Sequence, residues 1–296
     1  MRKIAYISVV LSFLIFNFSI AQAQYRYGRE IDRPYAYMGL TVGGGLGMIP
    51  CTLENGSQSP GMNFDLGVHY THFFSRLGVG FGLHISRVGA NATYGFEEVT
   101  PGLTHADNTH ASYNLITRYA DWKEHQSIKA LELPLELFFR APMGSGKIFV
   151  VGVGVQFEMP LGGKYSAGGG SFTTSGVFPA LGTYEVGDMP EHGFATYEEI
   201  DETPIGGLKT GIGVVADLGV RLALGSGGGL YIGLYGNYGL NNMLGDREGG
   251  PLLTLNSRDA TRIDYHGTFA SDPGAALRLL TVGVKVGLDI CSPMDM

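Results

Sequence analysis

Apolar and polar residues alternate along much of the chain. From residue 131 to 139 every odd position is apolar, whereas Glu132 and Glu136 stand among the even positions. After the turn residues 141–146 the alternation resumes, with apolar odd positions from Phe149 to Met159. A period of two places the two sets on opposite faces of a strand. Residues 128–159 therefore predict a β-hairpin with one apolar and one polar face.

The same alternation predicts six further strands, at residues 35–49, 62–74, 77–94, 208–224, 230–242 and 280–290. In the third predicted strand the phase slips near Val88, which indicates either a bulge or the edge of a membrane.

The lengths of the connections between the predicted strands distinguish a soluble β-sandwich from a transmembrane barrel. The connections after the second, fourth and sixth predicted strands are short turns, whereas those at 95–126, 161–206 and 244–276 are long and polar. Transmembrane barrels have short periplasmic turns and long extracellular loops, and a soluble β-sandwich has no reason to sort its connections in this way. We therefore predict an all-β fold, a transmembrane antiparallel up-and-down β-barrel of eight strands. Ten strands would result if 161–206 or 244–276 formed a further hairpin.

The N-terminus predicts export. Arg2 and Lys3 precede an apolar stretch at 4–20, and Ala21-Gln22-Ala23 forms a small-x-small cleavage site. This is the pattern of a secretory signal peptide, here residues 1–23. Residues 24–34 would form a polar periplasmic leader and residues 35–296 one barrel domain in the cell outer membrane.

Composition favours a membrane-embedded sheet. Charged residues make up 16% of the chain, below the usual quarter, and no segment after the signal offers the roughly 20 apolar residues of a spanning helix. A β-barrel is the remaining way to satisfy the backbone in lipid. Loss of Arg2 and Lys3 leaves 18 basic and 27 acidic residues, a net charge near −9. This charge disfavours nucleic acid as a partner.

Three strands carry a family resemblance. Residues 131–139 (Leu-Glu-Leu-Pro-Leu-Glu-Leu-Phe-Phe), their glycine-rich partner and residues 230–240 (Leu-Tyr-Ile-Gly-Leu-Tyr-Gly-Asn-Tyr-Gly-Leu) resemble the outer-membrane β-barrel proteins of Bacteroidetes. That family is similar to the OmpA/OmpX-type eight-stranded barrel. The chain departs from it in ending Cys-Ser-Pro-Met-Asp-Met, without a terminal aromatic residue, and in its two long insertions. The resemblance implies an outer-membrane location and no single activity.

The polar faces predict a charge network in the barrel lumen. Its expected members are Asp65, His69, His84, Glu132, Glu136, Arg140, Glu158, Lys209, Asp217, Arg221, Lys285 and Asp289. Six acids nearly balance four bases, and an eight-stranded barrel has room for little besides side chains. Because buried charges need partners, we expect salt bridges that plug the lumen. The alternative is a small channel or transport protein with a water path past Glu132, Glu136 and Arg221.

An enzymatic role finds less support. His84 and Ser86 share one strand face and resemble the His-x-Ser pair of outer-membrane lipid A deacylases. Their parity points them into the barrel, and no orienting carboxylate is evident, although a serine hydrolase needs nucleophile, base and orienting group together. We predict a non-enzymatic protein without cofactor, and keep a lipid-modifying hydrolase as the lesser alternative.

Metal sites are not indicated either. Insertion 161–206 carries seven acids opposed by Lys164, namely Glu185, Asp188, Glu191, Glu198, Glu199, Asp201 and Glu202. Clustered carboxylates suit Ca²⁺ or a basic partner, but this spacing is not that of an EF-hand. His105, Asp107 and His110 likewise lack metal-site spacing. Solvated surface loops are the favoured interpretation.

The predicted partners follow from this topology. The barrel wall would contact outer-membrane lipid or lipopolysaccharide, and loops 161–206 and 244–276 would bind an extracellular ligand or protein. The protein is expected to be a monomer with a structural or surface-interaction role. Cys51 and Cys291 would lie at opposite ends of the barrel, roughly 35–40 Å apart, which is too far for a disulfide.

Overall fold

The computed structural model describes residues 35–50, 56–104, 111–143, 146–182, 184–224, 227–245, 250–255, 263–271 and 276–293. The predicted signal peptide and leader lie outside these residues, as do Cys51 and the segment 105–110 with its two histidines. The disulfide prediction and the metal interpretation of His105, Asp107 and His110 therefore stay untested.

Strands dominate the described residues. They are β1 (Tyr35–Met48), β2 (Gly56–Phe73), β3 (Leu77–Tyr94), β4 (Glu97–Thr104), β5 (Ser112–Ala120), β6 (Trp122–Pro142), β7 (Lys147–Phe178), β8 (Tyr184–Val186), β9 (Thr196–Ile205), β10 (Gly211–Ala223), β11 (Gly228–Gly239), β12 (Leu253–Leu255), β13 (Ile263–Tyr265) and β14 (Leu280–Pro293). A short α-helical turn, α1, covers Thr268–Ser271, and 3-10 turns cover Pro179–Leu181 and Pro190–His192. In the described ranges, no helix is both long and apolar enough to cross a membrane.

Eight strands close into an antiparallel ring in the order β1-β2-β3-β6-β7-β10-β11-β14. The first and last strands form the closing seam, which runs from the pair Tyr35↔Pro293 to the pair Met48↔Leu280. This confirms the predicted eight-stranded barrel. The extra strands do not enter the ring: β5, β8 and β9 pair with the distal half of β7, and β4 pairs with β5.

The outer wall of the ring is apolar. Side chains predicted to face lipid are exposed there, for example Met38, Leu40, Leu66, Phe81, Leu137, Val153, Leu234 and Val284. Met62 is exposed over 85% of its surface. A continuous apolar belt of this size is unfavourable in water and favourable in hydrocarbon, which is how lipid selects this inside-out arrangement.

Four strands continue beyond this belt, namely β2, β3, β6 and β7. β6 has 21 residues and β7 has 32, whereas about 9–11 tilted residues cross a membrane. On β3 the apolar residues change face near Val88: Leu83 and Ile85 point out, but Val88 and Ala92 are buried inside. β3 is regular there, so the bulge alternative is wrong for this strand; the irregularity lies on β2, between Pro60 and Asn63. The phase slip marks the level where the strand leaves the lipid.

Above the lipid belt the extended strands enclose an ordinary hydrophobic core. Its members include Ile49, Tyr113, Leu115, Trp122, Ile128, Phe172, Phe194, Met243, Leu253, Phe269 and Leu279. The expectation that 95–126, 161–206 and 244–276 are solvated loops is corrected here, because each segment contributes strands or buried side chains to this core. β5 does alternate, with Tyr113, Leu115 and Tyr119 on its buried face, but these segments are far apart in sequence and only the fold brings them together. We call this folded part the cap.

Candidate functional site in the barrel interior and its cap

Asp289 on β14 is the centre of one charge cluster in the lumen. Its Oδ2 lies 2.5 Å from Nε of Arg221, and its Oδ1 lies 2.8 Å from Nε2 of His69. The Arg221 guanidinium also stacks over the Tyr37 ring at 3.9 Å. Three different strands thus place a base, an acid and an aromatic ring in contact, as expected for a buried charge that needs partners.

A second cluster surrounds Lys285. Its Nζ lies 3.0 Å from Oδ2 of Asp217 and 5.3 Å from the Tyr235 ring centre. Glu136 lines the same small cavity as these two charged groups. These side chains all occupy the inward-facing positions of strands whose alternate positions face lipid.

A third cluster lies between β2, β3 and β6. Nδ1 of His84 is 3.0 Å from Oδ2 of Asp65, and the Ser86 hydroxyl donates to the Glu132 carboxylate. Asp65 supplies the carboxylate that sequence inspection did not find for the histidine. Ser86 is nevertheless bonded to Glu132 rather than to His84, and all four groups are buried in the lumen. The arrangement is that of a packed polar core, since the hydroxyl is not placed for activation by the imidazole.

Amides complete the network near the cap. Asn237 donates through Nδ2 to Oε1 of Glu158 at 2.6 Å, and Asn63 donates through Nδ2 to the Tyr235 hydroxyl at 2.6 Å. These amides and Tyr235 were absent from the expected site because only charged side chains had been selected there. Their positions on the inward-facing side of the alternating pattern could have identified them from the sequence.

Arg140 lies at the short-turn end of the barrel, near the β2–β3 turn. Its Nε donates to the Ser75 carbonyl at 2.6 Å and its Nη1 donates to the Tyr37 hydroxyl at 3.3 Å. The guanidinium stacks over the Phe73 ring at 4.6 Å, and the residue is 1% exposed. Arginine and aromatic rings therefore fill this end of the lumen.

Lys209 is placed differently from the sequence prediction. β10 begins at Gly211, so Lys209 lies on the exposed connection before the strand and not in the lumen. Its backbone N–H donates to the Met243 carbonyl at 2.7 Å, which ties this connection to the cap. The predicted strand began at residue 208, three residues before β10 does. The other eleven predicted residues line the lumen.

Little space remains between these side chains. One cavity of about 40 Å³ lies beside Glu136, Asp217 and Arg221, and another of about 20 Å³ lies beside Asp65 and Glu132. A single water needs about 10–15 Å³ by this measure, so each cavity has room for no more than a few waters.

The cap is anchored by a buried carboxylate. Glu124 on β6 is fully buried and accepts hydrogen bonds from the backbone N–H of Thr268 at 3.1 Å and from its hydroxyl at 2.9 Å. It also accepts bonds from the Tyr265 hydroxyl at 2.9 Å and the Gln126 amide at 2.8 Å. The indole of Trp122 donates to the same Tyr265 hydroxyl at 3.3 Å. One side chain therefore holds segment 263–271 over the barrel mouth.

The acidic insertion forms ion pairs on the outside of the cap. Arg118 on β5 lies 2.5 Å from Oε1 of Glu185 on β8 and 2.7 Å from Oε2 of Glu97 on β4. Hydrogen bonds from Arg118 and then Ser175 lower the pKa of Glu185. Lys164 is bonded to Glu202. The remaining acids of the insertion are exposed, namely Asp188, Glu191, Glu198, Glu199 and Asp201.

Comparisons with known proteins give only distant similarities. No protein-family model and no curated protein matches the chain. Among solved structures it is similar to Neisserial surface protein A (TM-score 0.34, 10% identity, covering 86% of this chain and 96% of that one). It is also similar to the outer membrane protein OprG of Pseudomonas aeruginosa (TM-score 0.36, 11% identity, 88% and 97%). At these values the likeness carries nothing about activity, and the resemblance to Bacteroidetes barrels stays a prediction.

Proposed function

We propose that this protein is an integral outer-membrane β-barrel that does not conduct and that acts through its extracellular cap. The apolar outer belt supports the membrane location, because only hydrocarbon makes such a surface favourable. The role is structural or one of surface interaction, and it is not enzymatic.

The filled lumen carries this proposal. Its cavities of about 40 and 20 Å³ lie between the side chains of the charge network. Arg140 and Phe73 fill the periplasmic end, and the cap core covers the extracellular end. An ion or solute would have to displace paired, desolvated charges at several levels, which is costly in a low-dielectric interior.

The cap supports an interaction role. It has its own hydrophobic core, and a rigid surface binds a partner at less entropic cost than disordered loops do. Between β9 and segment 263–266 it presents a recess of about 840 Å³ whose walls include Glu199, Asp201 and Asp264. This recess is formed by the two insertions, 161–206 and 244–276, to which we assign an extracellular ligand or protein partner.

Single-channel recording in a planar bilayer tests the proposal. We expect a silent bilayer from the refolded protein, with folding verified by a heat-sensitive gel shift. As a positive control, Lys285→Ser with Asp217→Ser removes both members of one buried ion pair, so that neither charge is left without its partner, and should give measurable steps. Reproducible open steps from the unmodified protein would instead support the small-channel alternative.

A further inference from the structure

A pair of cations lies on the outer wall of the barrel, one step above the lipid-facing belt. Ile85 on β3 and Leu131 on β6 are paired in register and face outward. Two residues further toward the cap, Arg87 and Lys129 are paired in the same way, and both are exposed. The outer wall therefore changes from apolar to cationic between one outward-facing pair of residues and the next.

This pair is unfavourable by itself. Directly opposed residues on antiparallel strands have Cβ atoms about 4.5–5.5 Å apart, and like charges in that position are destabilising. Arg87 also donates through Nε to the Ser127 hydroxyl at 2.9 Å. Lys164 on β7 is paired in register with Ser127 and adds a third cation one row higher. Three bases from three strands thus converge on one part of the wall.

An acidic side chain nearby responds to all three cations. The pKa of Glu202 is lowered by its hydrogen bond to Lys164, and also by the charges of Arg87 and Lys129. An anion at this level of the wall is therefore stabilised by the whole group. Glu202 supplies one negative charge against three positive ones.

The wall beside these cations is hollowed. Gly44, Gly61 and Gly89 carry no side chains there, and they contribute to a groove of about 820 Å³. Its apolar part is formed by exposed side chains of Leu46, Met62 and Phe64. Its polar part, toward the cap, is formed by residues that can hydrogen-bond to hydroxyl groups, namely Asn91, His125, Ser166 and the Arg87 and Lys164 cations. The groove is amphiphilic in the same direction as a membrane lipid.

We propose that this groove binds a phosphorylated glycolipid of the outer leaflet, lipopolysaccharide. Its phosphates lie against Arg87 and Lys164, which line the groove, and against Lys129, which is paired with Arg87 beside it. Its sugar hydroxyls lie against the polar part, and an acyl chain lies against Leu46, Met62 and Phe64. Guanidinium and ammonium groups form short, charge-assisted hydrogen bonds with phosphate. The inference rests on the proposed outer-membrane location and is independent of whether the lumen conducts.

Lipid binding by the full, refolded protein in neutral detergent tests the site. The probes are diphosphoryl lipid A, the same lipid after enzymatic dephosphorylation, and phosphatidylglycerol. We expect Arg87→Gln with Lys129→Gln to weaken diphosphoryl lipid A binding by about tenfold or more, since each charged hydrogen bond contributes on that order. The matched control, Arg76→Gln with Lys147→Gln, removes two exposed cations near the periplasmic turns and should leave binding unchanged.

The outcomes are separable. Weak binding of the dephosphorylated lipid and of phosphatidylglycerol supports the site; equal binding of all three lipids, or an equal loss in both double variants, overturns it. If Arg87→Gln with Lys129→Gln fails the heat-sensitive gel shift, the single variant Arg87→Lys, which keeps the charge, should bind normally and Arg87→Gln should not. Channel activity in the planar bilayer would refute the proposed function and leave this result unaffected.

Discussion

Glu124 and Thr268 are separated by 144 residues, and yet the Glu124 carboxylate accepts both the backbone N–H and the hydroxyl of Thr268. This contact joins β6, a strand of the barrel ring, to the connection that precedes the last strand. It supplies two of the four hydrogen bonds that the buried carboxylate accepts, and Tyr265 and Gln126 supply the other two. The cap is therefore fastened to the barrel wall by a residue that belongs to both.

Glu124→Ala should release the cap and leave the barrel intact. The substitution leaves several buried donors without an acceptor, each at about 1–3 kcal/mol. Trp122 is the only tryptophan of the chain and is fully buried in the cap, so its fluorescence emission should shift to longer wavelength. The heat-sensitive gel shift should persist. Glu199→Ala, an exposed carboxylate on β9, is the matched control, and an unchanged Trp122 spectrum in Glu124→Ala would contradict the anchor.

Lys285→Met should destabilise the barrel strongly. It leaves Asp217 as an uncompensated buried carboxylate, and breaking one side of a buried ion pair costs about 3–5 kcal/mol. Adding Asp217→Asn removes the orphaned charge and should recover most of the loss. Urea unfolding in lipid vesicles, followed by far-ultraviolet circular dichroism, measures both variants. Equal stability of Lys285→Met and the unmodified protein would show that Asp217 is solvated.

The outer surface of the cap should loosen in acid. Because Arg118 and Ser175 lower the pKa of Glu185 below its ordinary 4.5, this group contributes stability above pH 4.5 and loses it as the pH falls through the lowered pKa. We expect lower amide protection in β8 at acidic pH, once exchange is corrected for the intrinsic rate at each pH, and Glu185→Gln should show that loss of protection already at pH 7. The effect is small, because both side chains are over 40% exposed, and it should shrink in high salt.

Two adjacent glycines should respond differently to alanine. A methyl group at Gly45 would lie 2.1 Å from the Val282 carbonyl oxygen, across the seam that closes the ring, so the β1–β14 backbone would have to shift. At Gly44 the nearest atom is the Asn63 carbonyl oxygen at 3.9 Å. Gly45→Ala should therefore reduce the fraction of refolded, heat-modifiable protein, and Gly44→Ala should not. Equal yields would mean that the seam adapts without cost.

The sequence was sufficient for most of the lumen site. Eleven of the twelve expected residues point inward because a strand's period of two carries them there, whatever their partners are. The prediction for Lys209 was wrong because the alternation does not show where a strand begins. The pairings could not be predicted: that Asp289 meets Arg221 while Asp217 meets Lys285 depends on the register between strands, which the alternation alone does not specify.

The alternation of residues along the chain settles the barrel, its eight strands and its lipid-facing wall, because lipid imposes one simple rule on every spanning strand. The cap follows no such rule. Its core is assembled from Trp122, Phe172, Phe194 and Phe269, on segments separated by dozens of residues, and each segment looks like a polar loop when considered separately. The cationic groove on the wall also depends on register, since Arg87 and Lys129 become neighbours only when β3 and β6 pair. The local periodicity can be observed in the sequence itself, but contacts between distant segments form only when the chain has folded.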